Sequence, residues 1–323
     1  MYSKNHPPTE TEVLQFHTTL SNWGRWGDDD QLGTLNLVTP EARRRGALAV
    51  RHGESVSCSW EIPAGPEGIE RSTQANRYMH SSPDFAGLDI PGFHADKNWG
   101  SAAEHLAFAY HGYTFTHVDS PCHMFWDGKI YNGRPAETVD GIDGAAFASV
   151  TAAANGMVTR GVLIDIPRLH GVNWLEPGQG VFPEDLVEAE LRQGVTVEPG
   201  DAVLLRTGHD RRRRETSEQG SLSGDIRQAG WHASCLPWLR DREVAYIGCD
   251  TPQDMMPSSY PTVFNPIHTT GLVAMGLWLL DNCDLYACAQ TAERLNQWDF
   301  NLSVCPIRFA GTTGSPVNPI AMF

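Results

Sequence analysis

Two imidazoles and a carboxylate fall within seven residues of this chain, His117-Val118-Asp119-Ser120-Pro121-Cys122-His123. Residues 108–116 before them are rich in aromatic and β-branched types, which predicts a strand running into the motif. On a strand, His117 and Asp119 project from one face. A nitrogen donor and an oxygen donor then point into the same space, a pairing that suits Zn²⁺, Mn²⁺ or Fe²⁺, whereas Mg²⁺ and Ca²⁺ favour oxygen alone. Pro121 cannot donate to a ladder and turns the chain. That turn is expected to return His123 to the metal as a general base or acid with a pKa near the working pH.

A His-x-Asp pair also fits a strand end whose histidines only make hydrogen bonds, and a usable metal site needs three or four donors. Among thirteen histidines the best-placed further donor is His268, in Asn265-Pro266-Ile267-His268, just before an apolar run at 271–280 that ends in Asp281-Asn282. The run is shorter than the ~20 residues a membrane span needs. It predicts a buried helix with His268 at its start and Asp281 at its end. Such a helix would separate the two by ~20 Å at 1.5 Å per residue, so both reach one metal only if the chain bends or the helix starts late.

The motif resembles that of the cyclase family of metal-dependent hydrolases, which includes bacterial kynurenine formamidase and isatin hydrolase. The family pattern is His-x-Gly-Thr-His-x-Asp-x-Pro-x-His, and the chain reads Tyr113-Thr114-Phe115-Thr116-His117-Val118-Asp119-Ser120-Pro121-Cys122-His123 over the same span. Asn22-Trp23-Gly24-Arg25-Trp26-Gly27, then Gln31-Leu32-Gly33-Thr34-Leu35-Asn36, and the closing Gly311-Thr312-Thr313-Gly314-Ser315-Pro316-Val317-Asn318-Pro319 are similar as well. The resemblance therefore covers most of the chain. It implies a swivelling β/β/α fold, a curved or closed mixed sheet with flanking helices, where periodicity alone gives only α/β. It also implies that His117 and Asp119 bind a divalent metal, Zn²⁺ or Mn²⁺, that His123 is the catalytic histidine, and that His268 and Asp281 stand where relatives place a later His and Glu. One position departs from the pattern: Tyr113 replaces the first histidine and offers no imidazole nitrogen. Either the donor set is shorter and favours a single metal, or His111 substitutes from two residues upstream. Tyr113 itself is expected to line the pocket and hydrogen-bond substrate or water.

The activity so implied is hydrolysis of a cyclic or aryl amide, imide or lactone. A divalent cation lowers the pKa of water from 15.7 towards roughly 7 and polarises a carbonyl. His123 would carry the proton from water to the departing nitrogen or oxygen, worth roughly 10²- to 10⁴-fold. Ten tryptophans, several of them flanking the motif, suggest an aromatic-walled pocket for a flat or apolar small molecule, although Trp is also an ordinary core residue. Phe125 and Trp126, next to His123, and Trp26 in the N-terminal arm join Tyr113 as expected substrate contacts. Two other readings stay open: a cyclase or dehydratase, which would remove water with the same groups, and a non-catalytic small-molecule-binding protein, which Tyr113 allows.

The elements that must position these groups mix strands and helices. Thr39 caps a helix whose first turn holds Pro40, and Pro183 opens another that runs to about Gln193. Strands are expected at 56–62, 161–166, 201–206, 244–249 and 302–309. The runs within 161–166 and 201–206 are apolar at consecutive positions, as in sheets covered on both faces. The Pro- and Gly-containing stretch 63–98 predicts an extended loop or insertion. Candidate donors lie on both sides of it, which argues for one domain over 1–323, with a Trp-rich arm over about 1–38.

A formal charge of −15 and a pI near 5.2 exclude the clustered cationic surface that nucleic-acid binding requires. The four arginines at 211–214, beside Glu215, are expected to lie in a solvated loop. Seven cysteines without a Cys-x-x-Cys pair do not make a disulfide framework, so reduced thiols are expected. Cys122 adjoins His123 but points to the opposite strand face. The first residues lack the apolar core of a signal peptide, which with the thiols predicts a cytoplasmic protein with no membrane partner. The resemblance implies a homodimer or homotetramer.

Overall fold

A computed structural model describes residues 2–62, 75–82, 85–86, 101–216 and 227–323. The strands of its main sheet are β1 (Ser55–Ser57), β2 (His117–Asp119), β3 (Met157–Asp165), β4 (Ala202–Arg206), β5 (Tyr246–Cys249), β6 (Trp278–Asp281), β7 (Asp299–Val304), β8 (Gly314–Pro316) and β9 (Ile320–Met322). Their order across the sheet is β1-β9-β7-β3-β4-β5-β6-β2-β8. β3 to β6 run parallel, and the remaining pairs are antiparallel. The sheet curls into a half-barrel with flanking helices, the α/β class and curved mixed sheet that the sequence predicts.

The consecutive apolar residues of the parallel strands divide between two cores. Val162, Ile164, Val203, Leu205 and Ile247 pack on one face, while Leu163, Ala202, Leu204, Tyr246 and Leu280 pack on the other. Burying one such aliphatic side chain contributes about 1.5–3 kcal/mol, so a strand buried on both faces is anchored twice over. The two expected helices form as Pro40–Leu48, where Thr39 Oγ1 accepts the Ala42 N–H at 3.2 Å, and Pro183–Gln193, which ends on left-handed Gly194. The expected strand at 302–309 begins earlier and stops at Val304, and the strand at 56–62 reduces to Ser55–Ser57. Ile307 and Phe309 are exposed and give no reason to extend the ladder.

Three expectations are corrected. Residues 108–116 are not a strand: the preceding strand is Ala103–Ala107, the chain bends through residues 111–115, and pairing resumes only at β2. The run after His268 is not one helix. A helical turn at Pro266–His268 passes into a wider π-helical segment, Thr269–Met275, then a left-handed turn at Gly276, and β6 returns. Gly276 is required there because a Cβ would fall 2.8 Å from Gly33 Cα and 2.5 Å from the Tyr131 ring. The chain thus bends, and Asp281 comes back beside His268. Finally, the four arginines lie on a helix, His209–Thr216, where the guanidinium groups of Arg213 and Arg214 each sit 4.3 Å from the Trp60 ring centre. Arg214 also pairs with Asp284. The segment is thus helical instead of a solvated loop, and two of its arginines, Arg213 and Arg214, hold Trp60.

The expected insertion at 63–98 falls largely outside the described residues. Within it, Asn76–Ser82 forms a strand paired antiparallel with Ala103–Ala107. No helix among the described residues is long and apolar enough to cross a membrane. At the C-terminal ends of β3, β4 and β5 a buried ionic network ties the sheet together. Arg206 binds Asp210 through two nitrogens at 2.9 and 3.0 Å and reaches Asp165 at 3.2 Å. Asp250 accepts from Thr207 N, Thr207 Oγ1 and Gly208 N, each at 2.8 Å.

Candidate metal centre

β2 lies between β6 and β8, with His117 opposite Asp281 and Asp119 opposite Gly314. This register puts His117, Asp119 and Asp281 in one buried place. The N–H at His117 Nδ1 is directed to the Phe115 carbonyl at 2.8 Å, which leaves Nε2 facing Asp119 Oδ1 at 3.5 Å and Asp281 Oδ2 at 3.9 Å. His268 arrives from the other side of the π-helical bend. Its Nδ1 lies 2.6 Å from Asp254 Oδ2, and its Nε2 lies 3.3 Å from Asp281 Oδ2 and 3.8 Å from Asp119 Oδ2.

His111 completes the ring from the bent segment. Its Nδ1 is 2.9 Å from Asp119 Oδ1, and its Nε2 is 3.2 Å from Thr313 Oγ1. Gly314 makes the approach possible, because a Cβ there would stand 2.6 Å from His111 Cε1. His123 comes back after Pro121, as the turn predicts. Its ring stacks on His111 with centres 4.1 Å apart and planes 6° apart, and its Nε2 is 3.7 Å from Asp119 Oδ2.

Three buried carboxylates, Asp119, Asp254 and Asp281, meet here, and their charged neighbours among the described residues are imidazoles, with no lysine or arginine in an ion pair to any of them. Burial raises the Asp119 carboxyl, but His123 and His117 outweigh it and hold the group below the usual carboxylate range. Burial lowers the His268 imidazole, but Asp281 and Asp254 outweigh that and raise it. Uncompensated buried anions are costly. His111 Nδ1 and Asp119 Oδ1, although close, lack the alignment of a hydrogen bond, and neither atom has a hydrogen-bond partner among the described residues. The unpartnered His111 Nδ1 and Asp119 Oδ1 and the crowding of three carboxylates against imidazoles suit a divalent cation, which would displace the proton that now lies between His268 and Asp281. The donors form two sets, His111, His117, Asp119 and Asp119, His268, Asp281, and within each set the ligand atoms lie within 4.8 Å of one another.

Burial pushes the His123 imidazole down to about 4, lower than the value near the working pH that the sequence suggests. The ring is therefore neutral at pH 7 and able to accept a proton. Burial pushes the Cys122 thiol up to about 11, which keeps it protonated and unsuited to attack.

A cavity of about 120 Å³ opens on these groups, lined also by Tyr113, Met124, Gln228, Met256 and Asn265. Tyr113 thus lines the cavity beside the donors. Trp26, Phe125 and Trp126 are not among the residues lining it: Trp26 lies under Arg25 at 4.6 Å, Phe125 is half exposed, and Trp126 stacks on His17 at 4.3 Å. A larger cavity of about 1060 Å³, lined by Trp174, Phe182, His232 and Tyr260, contains neither donor set. Donor convergence, not volume, marks the candidate site. Sequence reasoning missed Gln253 and Asp254, which touch Asp281 and His268. They sit in Pro252-Gln253-Asp254, a loop segment with no periodicity to reveal them.

Residues 55–253 match the model of the family described as "Putative cyclase". No curated protein matches the chain. Among solved structures, one described as a novel cyclase is 24% identical, with a TM-score of 0.83 over 95% of this chain and 99% of that one. Isatin hydrolase A from Labrenzia aggregata, bound to benzyl benzoate, is 20% identical, with a TM-score of 0.58 over 85% and 94%. A predicted metal-dependent hydrolase from Bacillus stearothermophilus is 15% identical, with a TM-score of 0.50 over 83% and 97%. At these identities the likeness is one of fold.

Proposed function

The chain belongs to the cyclase family, and on that premise we propose that it is a metal-dependent hydrolase of a cyclic or aryl amide, imide or lactone of a small apolar or aromatic molecule. The observation that carries this reading is the convergence of His111, His117, His268, Asp119 and Asp281 on one place, with no lysine or arginine among the described residues paired to the carboxylates. The hydrolase names of two fold neighbours support it.

The residues fit two divalent cations, Zn²⁺ or Mn²⁺ by donor type. His111, His117 and Asp119 would hold one, while Asp119, His268 and Asp281 would hold the other, with Asp119 shared between them. When bound, such a cation supplies Lewis acidity, which acidifies water to a pKa of roughly 7 and polarises a carbonyl oxygen. The protein's own groups do the rest. The Phe115 carbonyl keeps the His117 proton on Nδ1, so Nε2 presents its lone pair to the site. His123 Nε2 takes a proton from the attacking water as the water oxygen bonds to the substrate carbonyl carbon. As the C–N or C–O bond breaks, the same nitrogen returns the proton to the departing atom.

Tyr113 lines the cavity and is the hydroxyl that hydrogen-bonds substrate. At about 120 Å³ the enclosed space admits a carbonyl and a few waters, since whole drug-sized ligands occupy roughly 300–1,000 Å³. Turnover of aryl amides, imides and lactones by metal-loaded protein in ¹⁸O-labelled water tests the reading. Label in a new carboxylate is the expected result. A product that has lost water and carries no label would favour the cyclase or dehydratase reading instead.

A further inference from the structure

We propose that Gln253 and Asp254 form a positioning corner for the second half of the site: Asp254 sets the proton and orientation of His268, and Gln253 selects which oxygen of Asp281 faces the site. The proposal rests on the metal-site reading above.

Asp254 is buried, and its two oxygens receive three donors from one turn. Oδ1 accepts the Ile267 N–H at 2.7 Å, and Oδ2 accepts the His268 N–H at 3.3 Å and the proton on His268 Nδ1 at 2.6 Å. An ionised carboxylate can only accept. The proton of a neutral His268 is therefore held on Nδ1, and the Nε2 lone pair is left facing Asp281 and Asp119.

Gln253 performs the matching task on Asp281. Its side-chain amide meets two acceptors, the Leu280 carbonyl at 2.9 Å and Asp281 Oδ1 at 2.8 Å, so the nitrogen end must face them. That contact occupies Oδ1 and leaves Oδ2 as the oxygen 3.3 Å from His268 Nε2 and 3.9 Å from His117 Nε2. The carbonyl end of the same amide is buried without a hydrogen-bond partner among the described residues, an arrangement normally avoided, which underlines that the donor end decides the placement. Gln253 adopts a left-handed backbone with φ of 50°, uncommon for any residue but glycine. The corner is fixed by Gln253 N to the Thr251 carbonyl, Asp254 N to the Pro252 carbonyl, and Trp231 N to the Gln253 carbonyl, at 2.7–2.8 Å. Two consecutive side chains are thereby aimed at two different donors of the same site.

Asp254→Asn separates this role from bulk. The single remaining oxygen goes to the short Ile267 contact, so the NH₂ faces His268 Nδ1 and drives the imidazole proton to Nε2, where the lone pair is needed. Metal-stripped full-length protein is titrated with Co²⁺, read by its visible absorption bands, with the thermal midpoint as a check of folding. We expect folded Asp254→Asn to lose about 10- to 100-fold in Co²⁺ affinity and to show altered bands. In a His268→Gln background the same change should add little. Wild-type affinity in folded Asp254→Asn, or an equal further loss on top of His268→Gln, would overturn the proposal. Should Asp254→Asn fail to fold, Gln253→Met reads the corner through Asp281: a similar loss supports it, and unchanged affinity overturns it. Wild-type protein that takes up no Co²⁺ would overturn the metal-site reading and this inference with it.

Discussion

His111 Nδ1 lies 2.9 Å from Asp119 Oδ1 without the alignment of a hydrogen bond. On the proposed reading, His111 supplies from two residues upstream the imidazole that the motif lacks at Tyr113. Gly314, paired with Asp119 across the sheet, leaves the space it occupies. Removing the imidazole by His111→Ala should lower metal content from two per chain to one with the fold retained, whereas Tyr113→Phe should leave content unchanged. Gly314→Ala should lower metal content at least as far, since its Cβ would press on the Val118 carbonyl oxygen at 2.5 Å as well as on the His111 ring at 2.6 Å. Elemental mass spectrometry of the three variants checks this. Full metal content in folded His111→Ala would remove His111 from the donor set.

His123 stacks on His111 and faces Asp119 but belongs to neither donor set. His123→Ala should therefore keep its metal and lose about 10²- to 10⁴-fold in kcat. Loss of metal from the folded variant would make His123 a ligand.

The Arg206 guanidinium is the only cation among the described residues in an ion pair with Asp165 or Asp210. Arg206→Met keeps the bulk and strands both carboxylates in the interior. Breaking a buried pair from one side typically costs about 3–5 kcal/mol, so the urea midpoint should fall with little change in slope. An unchanged midpoint would mean that the network contributes nothing net.

His17 lies flat against Trp126, and burial pushes its pKa down to about 4 from 6.5. A depressed histidine pKa means that the unfolded chain takes up the proton first. Stability contributed by neutral His17 is therefore complete above pH 6.5 and lost as pH falls towards 4. His17→Phe, which keeps a flat ring on Trp126, should show a shallower loss of unfolding free energy across that window than wild type. Equal slopes in the two proteins would place the acid sensitivity elsewhere.

Much of the fold was legible because β3 and β4 bury both faces and so read as unbroken apolar runs, and because Thr39-Pro40 and Pro183 carry helix-start chemistry. His117, Asp119 and His123 were legible because strand alternation and a proline turn fix them locally. The path from His268 to Asp281 was not. Its apolar residues suit a helix or a buried strand equally, and only the close approach of Gly276 to Gly33 and Tyr131, distant in sequence, forces the turn. His111 was visible as an alternative, but its reach depends on a bend at 111–115 and on room left at Gly314, neither of which is a local signal. The cavity lining was less legible: Trp126, though near His123 in sequence, packs on His17, and Trp26 lies under Arg25, because aromatic side chains are drawn to whatever apolar or cationic surface the fold offers them.

In the proposed site Asp119 stands between both sets of donors and is common to them, so the site depends on it more than on any other residue. Elemental mass spectrometry of wild type beside Asp119→Ala, with folding checked by circular dichroism, tests it most directly. Two Zn²⁺ or Mn²⁺ per wild-type chain and none in folded Asp119→Ala are expected. Folded wild-type protein that holds no metal even after supplementation would contradict it.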